Sequence, residues 1–92
     1  MERPRNIVGP QIKKLRKKRG LSQPMLVAKC NLLGWGVSRE TLAKIESQIR
    51  WVADAELLCL SMTLKVPIET LLPEREVAVT AIKTFFRKLS KS

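Results

Sequence analysis

The residues of this 92-residue chain that could act as nucleophiles include Ser22, Ser38 and Ser47. They have no general base of the usual kind, because the sequence contains no histidine. The acidic residues are scattered and form no pair suited to acid–base catalysis. We therefore expect neither enzymatic activity nor a bound cofactor, and the absence of imidazole also argues against most metal sites. The polar side chains are better suited to hydrogen bonding than to covalent chemistry.

The two cysteines, Cys30 and Cys59, form no CxxC pair that could belong to a zinc site. We interpret them as small apolar core residues in a reducing compartment, with a single disulfide as the alternative. No apolar run approaches the ~20 residues that span a bilayer, and no apolar stretch follows the basic N-terminus. We therefore expect an intracellular protein that is not associated with a membrane.

Positive charge is concentrated in the first half of the chain. The formal net charge is +10, and residues 1–50 hold 12 lysines and arginines against three acids. Residues 51–92 hold six against five. Such an excess favours nucleic acid or another anionic surface as the partner. The densest basic run is residues 13–19, which as a lone feature would equally fit a solvated helix face.

Apolar residues recur at spacings of three and four, which predicts an all-α chain. The first helix covers about residues 8–19 and stops at Gly20. Ser22 and Ser38 are expected to cap the second and third helices, because their hydroxyls can accept from the first free amides. The third helix has one apolar stripe, formed by Leu42, Ile45 and Ile49.

The second half of the chain contains three further helical segments. Asp54 is expected to cap a fourth helix, whose many apolar residues place it at the centre of the core. Residues 66–72 form a short fifth helix closed by Pro73. Residues 74–89 then form an amphipathic helix whose apolar face needs a cover, either the chain's own core or a second subunit; this face consists of Ala78, Ile82, Phe85, Phe86 and Leu89.

Three ordered motifs lie at characteristic spacings along the chain: Gly-Leu-Ser-Gln at 20–23, Ser-Arg-Glu-Thr-Leu-Ala-Lys-Ile-Glu at 38–46, and Val-Pro-Ile-Glu-Thr-Leu at 66–71. Together they resemble the helix-turn-helix domain of the Cro and lambda-repressor-like family, also called the XRE family. The resemblance covers about residues 7–73 and implies a compact five-helix DNA-binding domain. A basic arm, residues 1–6, precedes this domain, and the C-terminal helix and tail, residues 74–92, follow it.

The resemblance also implies a role for individual side chains. In such domains the second helix of the motif lies in the major groove, here the helix over about residues 38–48. Arg39, Glu40 and Lys44 match positions that read bases. Arg39 and Lys44 can donate to guanine, and Glu40 can accept from cytosine or position an arginine. The implied phosphate contacts are Lys17, Gln23, Ser38, Thr41, Gln48 and Arg50, with Trp51 close to the last of them.

Arg16 and Glu46 match family positions that often form a partly buried ion pair, so we assign them a structural role. The sequence departs from the family between the second and third helices, where residues 31–37 are longer than the usual tight turn. This insertion either extends the second helix or forms a loop. Its Trp35 could reach a phosphate or a partner subunit, although covering an apolar patch is the interpretation we favour.

These features favour a sequence-specific regulator of transcription, repressor-like, that binds double-stranded DNA as a homodimer. Ile82, Phe85, Phe86 and Leu89 are the candidate dimer residues. The alternative is an antitoxin-type or adaptor protein that mainly binds a protein partner and has non-specific affinity for nucleic acid. Binding of the basic amphipathic tail to a membrane surface has little support, because the strongest charge lies in the first helix. No small-molecule substrate is indicated. The resemblance also implies a cytoplasmic protein of bacterial or phage type that is associated with the nucleoid.

Overall fold

The computed structural model describes residues 4–90, with side chains from residue 4 to residue 87. Within this range the chain is helical and contains no strand, as the apolar spacing predicts. Five α-helices and one 3-10 helix follow in the order α1 (Gly9–Lys18), α2 (Gln23–Leu32), α3 (Arg39–Glu46), α4 (Asp54–Leu64), the 3-10 helix (Ile68–Leu71) and α5 (Arg75–Ser90).

The two predicted serine caps are present at the starts of α2 and α3. Ser22 Oγ accepts from the amide of Met25 at 3.2 Å, and Ser38 Oγ accepts from the amide of Thr41 at 3.1 Å. Each bond satisfies one of the amides that a helix N-terminus leaves without an internal partner. At the end of α1, Gly20 adopts a φ of +70°, a conformation in which a side chain would be strained.

Three predicted helix boundaries are wrong. Ala53, not Asp54, is the N-cap of α4, and its amide donates to Glu56 Oε1 at 3.0 Å. The predicted fifth helix is a 3-10 helix of four residues instead of a segment over 66–72. The third helix ends at Glu46 rather than near residue 48, because Gln48 turns the chain at a φ of +67°. Ile49 is consequently outside the helix and exposed, not part of its core stripe.

The core lies between α1, α2, α3, α4 and the 3-10 helix. Helix α3 packs against α1 and α2, while α4 packs against α2 and the 3-10 helix. Helix α4 was predicted to be central, but only one side of it is buried, and Leu58 and Met62 are exposed. The buried apolar residues are Val8, Ile12, Leu15, Leu26, Cys30, Val37, Leu42, Ile45, Cys59, Leu60, Leu64 and Leu71.

Both cysteines are free thiols in this core. Burial raises the pKa of the Cys30 thiol to about 11, so the thiol stays protonated at neutral pH. Their position is that of small apolar residues packed between α2 and α4.

Helix α5 projects from this core and packs only sparsely against the other helices. It gives the described part of the molecule an elongated outline of 43 × 23 × 22 Å. Val77, Ile82 and Phe86 are exposed on it, and the Phe85 and Phe86 rings meet edge to face at a centroid distance of 5.3 Å. None of the helices within residues 4–90 combines the length and apolar character that crossing a membrane requires.

Candidate nucleic-acid interface

Helix α3 presents a polar side to solvent and an apolar side to the core. Leu42 and Ile45 are fully enclosed, whereas Arg39, Glu40 and Lys44 are exposed. Glu40 and Lys44 are four residues apart and share the face opposite Leu42 and Ile45, while Arg39 is exposed as the first residue of the helix. The three side chains predicted to read bases are therefore all exposed on α3.

A buried ion pair connects the end of α3 to α1. Arg16 Nε donates to Glu46 Oε2 at 2.6 Å and Arg16 Nη2 donates to Glu46 Oε1 at 3.0 Å. The two side chains are only 8% and 3% exposed. Arg16 Nη1 also donates to the carbonyl of Leu21 at 2.8 Å. This pair is where the resemblance implied it, and its bidentate geometry fixes both the distance and the orientation of the two helices.

Gln23 belongs to the same buried network. Its Nε2 donates to Glu46 Oε1 at 3.0 Å, so the start of α2 is joined to the end of α3. The sequence assigned Gln23 to a phosphate contact. Its half-buried amide is instead engaged with a carboxylate in the free protein.

The other side chains predicted to contact phosphates differ in whether they are already hydrogen-bonded within the protein. Lys17 is exposed on α1. Ser38 Oγ donates to Thr41 Oγ1 at 3.0 Å, so the two hydroxyls bond to each other at the start of α3. Arg50 Nη1 and Nη2 donate to the carboxylate of Glu56 at 2.9 and 3.0 Å. These bonds hold the pKa of Glu56 below its ordinary value.

The N-terminal segment docks against the end of α3, a contact that was not predicted from the sequence. Asn6 Oδ1 accepts from the amides of Val8 and Gly9 at 3.1 and 2.8 Å, so it caps the start of α1. A Cβ on Gly9 would lie 2.8 Å from the carbonyl oxygen of Glu46 and closer still to that of Ile45. An asparagine just before a helix is a capping signal, but which distant segment it meets has no signature in one sequence.

The insertion between α2 and α3 forms a loop, because α2 ends at Leu32. Asn31 Nδ2 stabilises the loop by donating to the carbonyls of Trp35 and Val37, at 2.7 and 3.2 Å. Trp35 is half-buried against the core, which agrees with the interpretation that it covers an apolar patch.

These features define the class of the protein. Helices α2 and α3 are joined by a loop and supported by α1 and α4, and α3 has a polar outer side. The chain contains a helix-turn-helix domain of the Cro and lambda-repressor-like type.

Comparison with solved structures supports the same class. The chain is similar to the crystal structure of the restriction-modification controller protein C.AhdI from Aeromonas hydrophila, with 26% sequence identity and a TM-score of 0.63. The similarity covers 71% of this chain and 91% of that chain. No protein-family model and no curated protein matches the sequence.

Proposed function

We propose that this protein is a repressor-like regulator of transcription that binds a specific sequence of double-stranded DNA. The observation that carries the proposal is the exposed polar side of α3, where Arg39, Glu40 and Lys44 project from a helix fixed to its neighbours. A helix of this width fits the major groove of B-DNA, where each base pair shows a distinct pattern of donors and acceptors. The similarity to a restriction-modification controller protein supports a regulatory role.

Electrostatic attraction to the phosphates supplies the affinity that does not depend on sequence. Most of the net charge lies in residues 1–50, which include the basic α1 and the recognition helix. Lys17, Ser38 and Thr41 are exposed or half-buried and are proposed to contact phosphates. Such contacts position a protein on the duplex without carrying sequence information. Binding should accordingly weaken as salt concentration rises.

The protein is further proposed to act as a homodimer joined through α5. The apolar side chains of α5 project beyond the core, and a groove of about 860 Å³ beside this helix is lined in part by Ile7, Trp51 and Val77. A second copy of α5 is the occupant that fits it. Two-fold symmetry would then match a near-palindromic site.

A second candidate function is an antitoxin-type or adaptor protein that binds another protein. One observation favours it: apolar side chains are exposed at the end of α2 and on the outer side of α4. Leu32 is 87% exposed, and Leu33, Leu58 and Met62 are also exposed. Exposed apolar patches of this kind often mark protein interfaces. None of these residues is assigned to DNA, so the two functions can coexist.

Selection from random duplex DNA tests the proposed function. The wild-type protein is expected to enrich one motif, and Arg39→Ala is expected to relax the preference at one or two base pairs. Losing a bidentate arginine–guanine contact costs ~1–3 kcal/mol of discrimination. Lys65→Ala, a loss of positive charge in the turn after α4 and outside both α3 and α5, serves as the control and should leave the motif unchanged. Salt-dependent binding without any enriched motif would contradict sequence-specific recognition and favour the adaptor.

A further inference from the structure

Both polar atoms of the Asn6 carboxamide form hydrogen bonds. Beyond the two capping bonds accepted by Oδ1, its Nδ2 donates to the carbonyl of Ile45 at 3.0 Å and to that of Arg50 at 2.9 Å. Ile45 lies in the last turn of α3, and Arg50 lies in the segment that follows. One side chain thus joins the start of α1 to both sides of the turn that ends the recognition helix.

The backbone on either side of Asn6 strengthens this connection. The amide of Arg5 donates to the carbonyl of Gln48 at 2.8 Å, and Gln48 Nε2 donates back to the carbonyl of Asn6 at 2.9 Å. Gln48 holds a left-handed φ of +67°, which is uncommon for a residue other than glycine. We call this set of bonds among residues 5, 6, 45, 48 and 50 the N-terminal clip.

Helix α3 is short, and the carbonyls of its last turn take their donors from residues outside the helix: that of Ile45 accepts from the amide of Gln48 and from Asn6 Nδ2. A helix leaves its last four carbonyls without an intrahelical donor, and the carbonyl of Ile45 is one of these. With eight residues α3 is too short to be stable by itself. The Arg16–Glu46 pair fixes a side chain at this end. The clip fixes the backbone.

We propose that Asn6 is a positioning residue for DNA recognition, which sets the orientation of α3 in the groove without touching a base. The inference rests on the proposed function. Base-reading side chains must be held within about 0.5 Å of their productive positions. Helix α3 is about 12 Å long, so a shift of about 1 Å at its C-terminal end tilts the whole helix by several degrees. Gln48 is part of the clip, and its half-buried side chain is assigned to the same positioning role.

Two substitutions separate the capping role of Asn6 from its role in the clip. Asn6→Asp and Asn6→Ser both keep an oxygen that can cap α1, and both lack the amide that donates to Ile45 and Arg50. The serine variant adds no charge, so it controls for the electrostatic effect of the aspartate. Circular dichroism at the working temperature confirms that each variant is folded before binding is measured.

The first readout concerns the free protein and does not depend on DNA. The amides of Gln48 and Ile49 donate to the carbonyls of Ile45 and Lys44 at the end of α3. Both variants are expected to speed hydrogen exchange at these two amides, while the amide of Leu60 in the core stays protected. Unchanged exchange in both variants would show that the clip does not hold this helix end, and would overturn the inference.

The second readout is binding to the duplex that the wild type selects. Asn6→Ser is expected to lose about tenfold or more in affinity for this duplex, because two hydrogen bonds are removed. Its affinity for random duplex should change less than about twofold, since no charge is altered. If Asn6→Ser binds the selected duplex as tightly as the wild type does, the inference about Asn6 is overturned, while the proposed function is not. Failure of the wild type to select any duplex would overturn the proposed function, with the exchange experiment still reporting on the clip.

Discussion

The ion pair between Arg16 and Glu46 makes the residue at position 46 a structural one. Removing one partner of a buried pair leaves the other charge without compensation, at a cost of ~3–5 kcal/mol. Glu46 also accepts from Gln23, so its loss leaves a second donor unpaired. We predict that Glu46→Ala lowers the free energy of unfolding by about this amount and weakens DNA binding with it. Equal melting temperatures for this variant and the wild type would contradict a stabilising pair.

Lys44 provides the matched contrast two positions earlier on the same helix. Its side chain is exposed and projects from the outer side of α3. Surface substitutions of this kind usually change stability by no more than about 0.5 kcal/mol. Lys44→Ala is therefore expected to weaken DNA binding while its urea midpoint stays that of the wild type. A stability loss comparable to that of Glu46→Ala would show that Lys44 supports the fold instead of reading DNA.

At the scale of elements, the contact between α1 and α3 depends on Gly9. Its missing Cβ lets the first turn of α1 approach the backbone carbonyls at the end of α3, and backbone atoms cannot swing aside as a side chain can. Gly9→Ala is predicted to cost ~1–3 kcal/mol of stability, the range typical of overpacking. Thermal unfolding followed by circular dichroism measures the effect.

Gly36 gives a control for the Gly9 substitution. A Cβ at Gly36 would meet no atom within 4 Å, and its φ is not in the left-handed region. Gly36→Ala should leave the melting temperature unchanged or raise it slightly, because it reduces the entropy of the unfolded chain. Equal losses at Gly9 and Gly36 would show that the close approach of α1 and α3 does not limit position 9.

The features that could be predicted from the sequence are those that depend on residues close together in the chain. The hydroxyl caps at Ser22 and Ser38 are examples, because a cap depends only on neighbouring amides. Ile49 shows the opposite case: its spacing continues the stripe of α3, but the left-handed turn at Gln48 ends the helix first. That turn is held by Arg5 and Asn6, which lie some forty residues away. Apolar spacing carries no information about such a contact.

The candidate site shows the same division between local and distant signals. The exposed positions of Glu40 and Lys44 follow from the helical period and the two core residues of α3, and Arg39 is exposed because it begins the helix. The partners of Gln23 and Arg50 are carboxylates on other elements, so their engagement appears only in the folded chain. Asp54 was predicted as the N-cap of α4 because aspartate favours that position. It is instead the first residue of the helix, and Glu56 accepts from the amide of the N-cap residue Ala53.

For the whole molecule, the elongated outline reflects a helix that extends from the core and is proposed to pair with a second copy. We predict that Phe86→Glu reduces dimer formation, because it places a charge on an apolar side of α5 that is 58% exposed. Sedimentation velocity measures the shift from dimer to monomer. Leu32→Glu makes the same change in charge on the exposed end of α2 and should leave the dimer intact. A monomeric wild type at about 100 times the DNA-binding Kd would contradict pairing through α5.

We propose that the outer side of α3 enters the major groove. NMR of the complex with the selected duplex tests it directly, through nuclear Overhauser effects between protein side chains and DNA protons. We expect contacts from Arg39 and Lys44 to cytosine H5 or thymine methyl protons, which lie in the major groove. Contacts confined to minor-groove or sugar protons, with α3 unaffected, would contradict it.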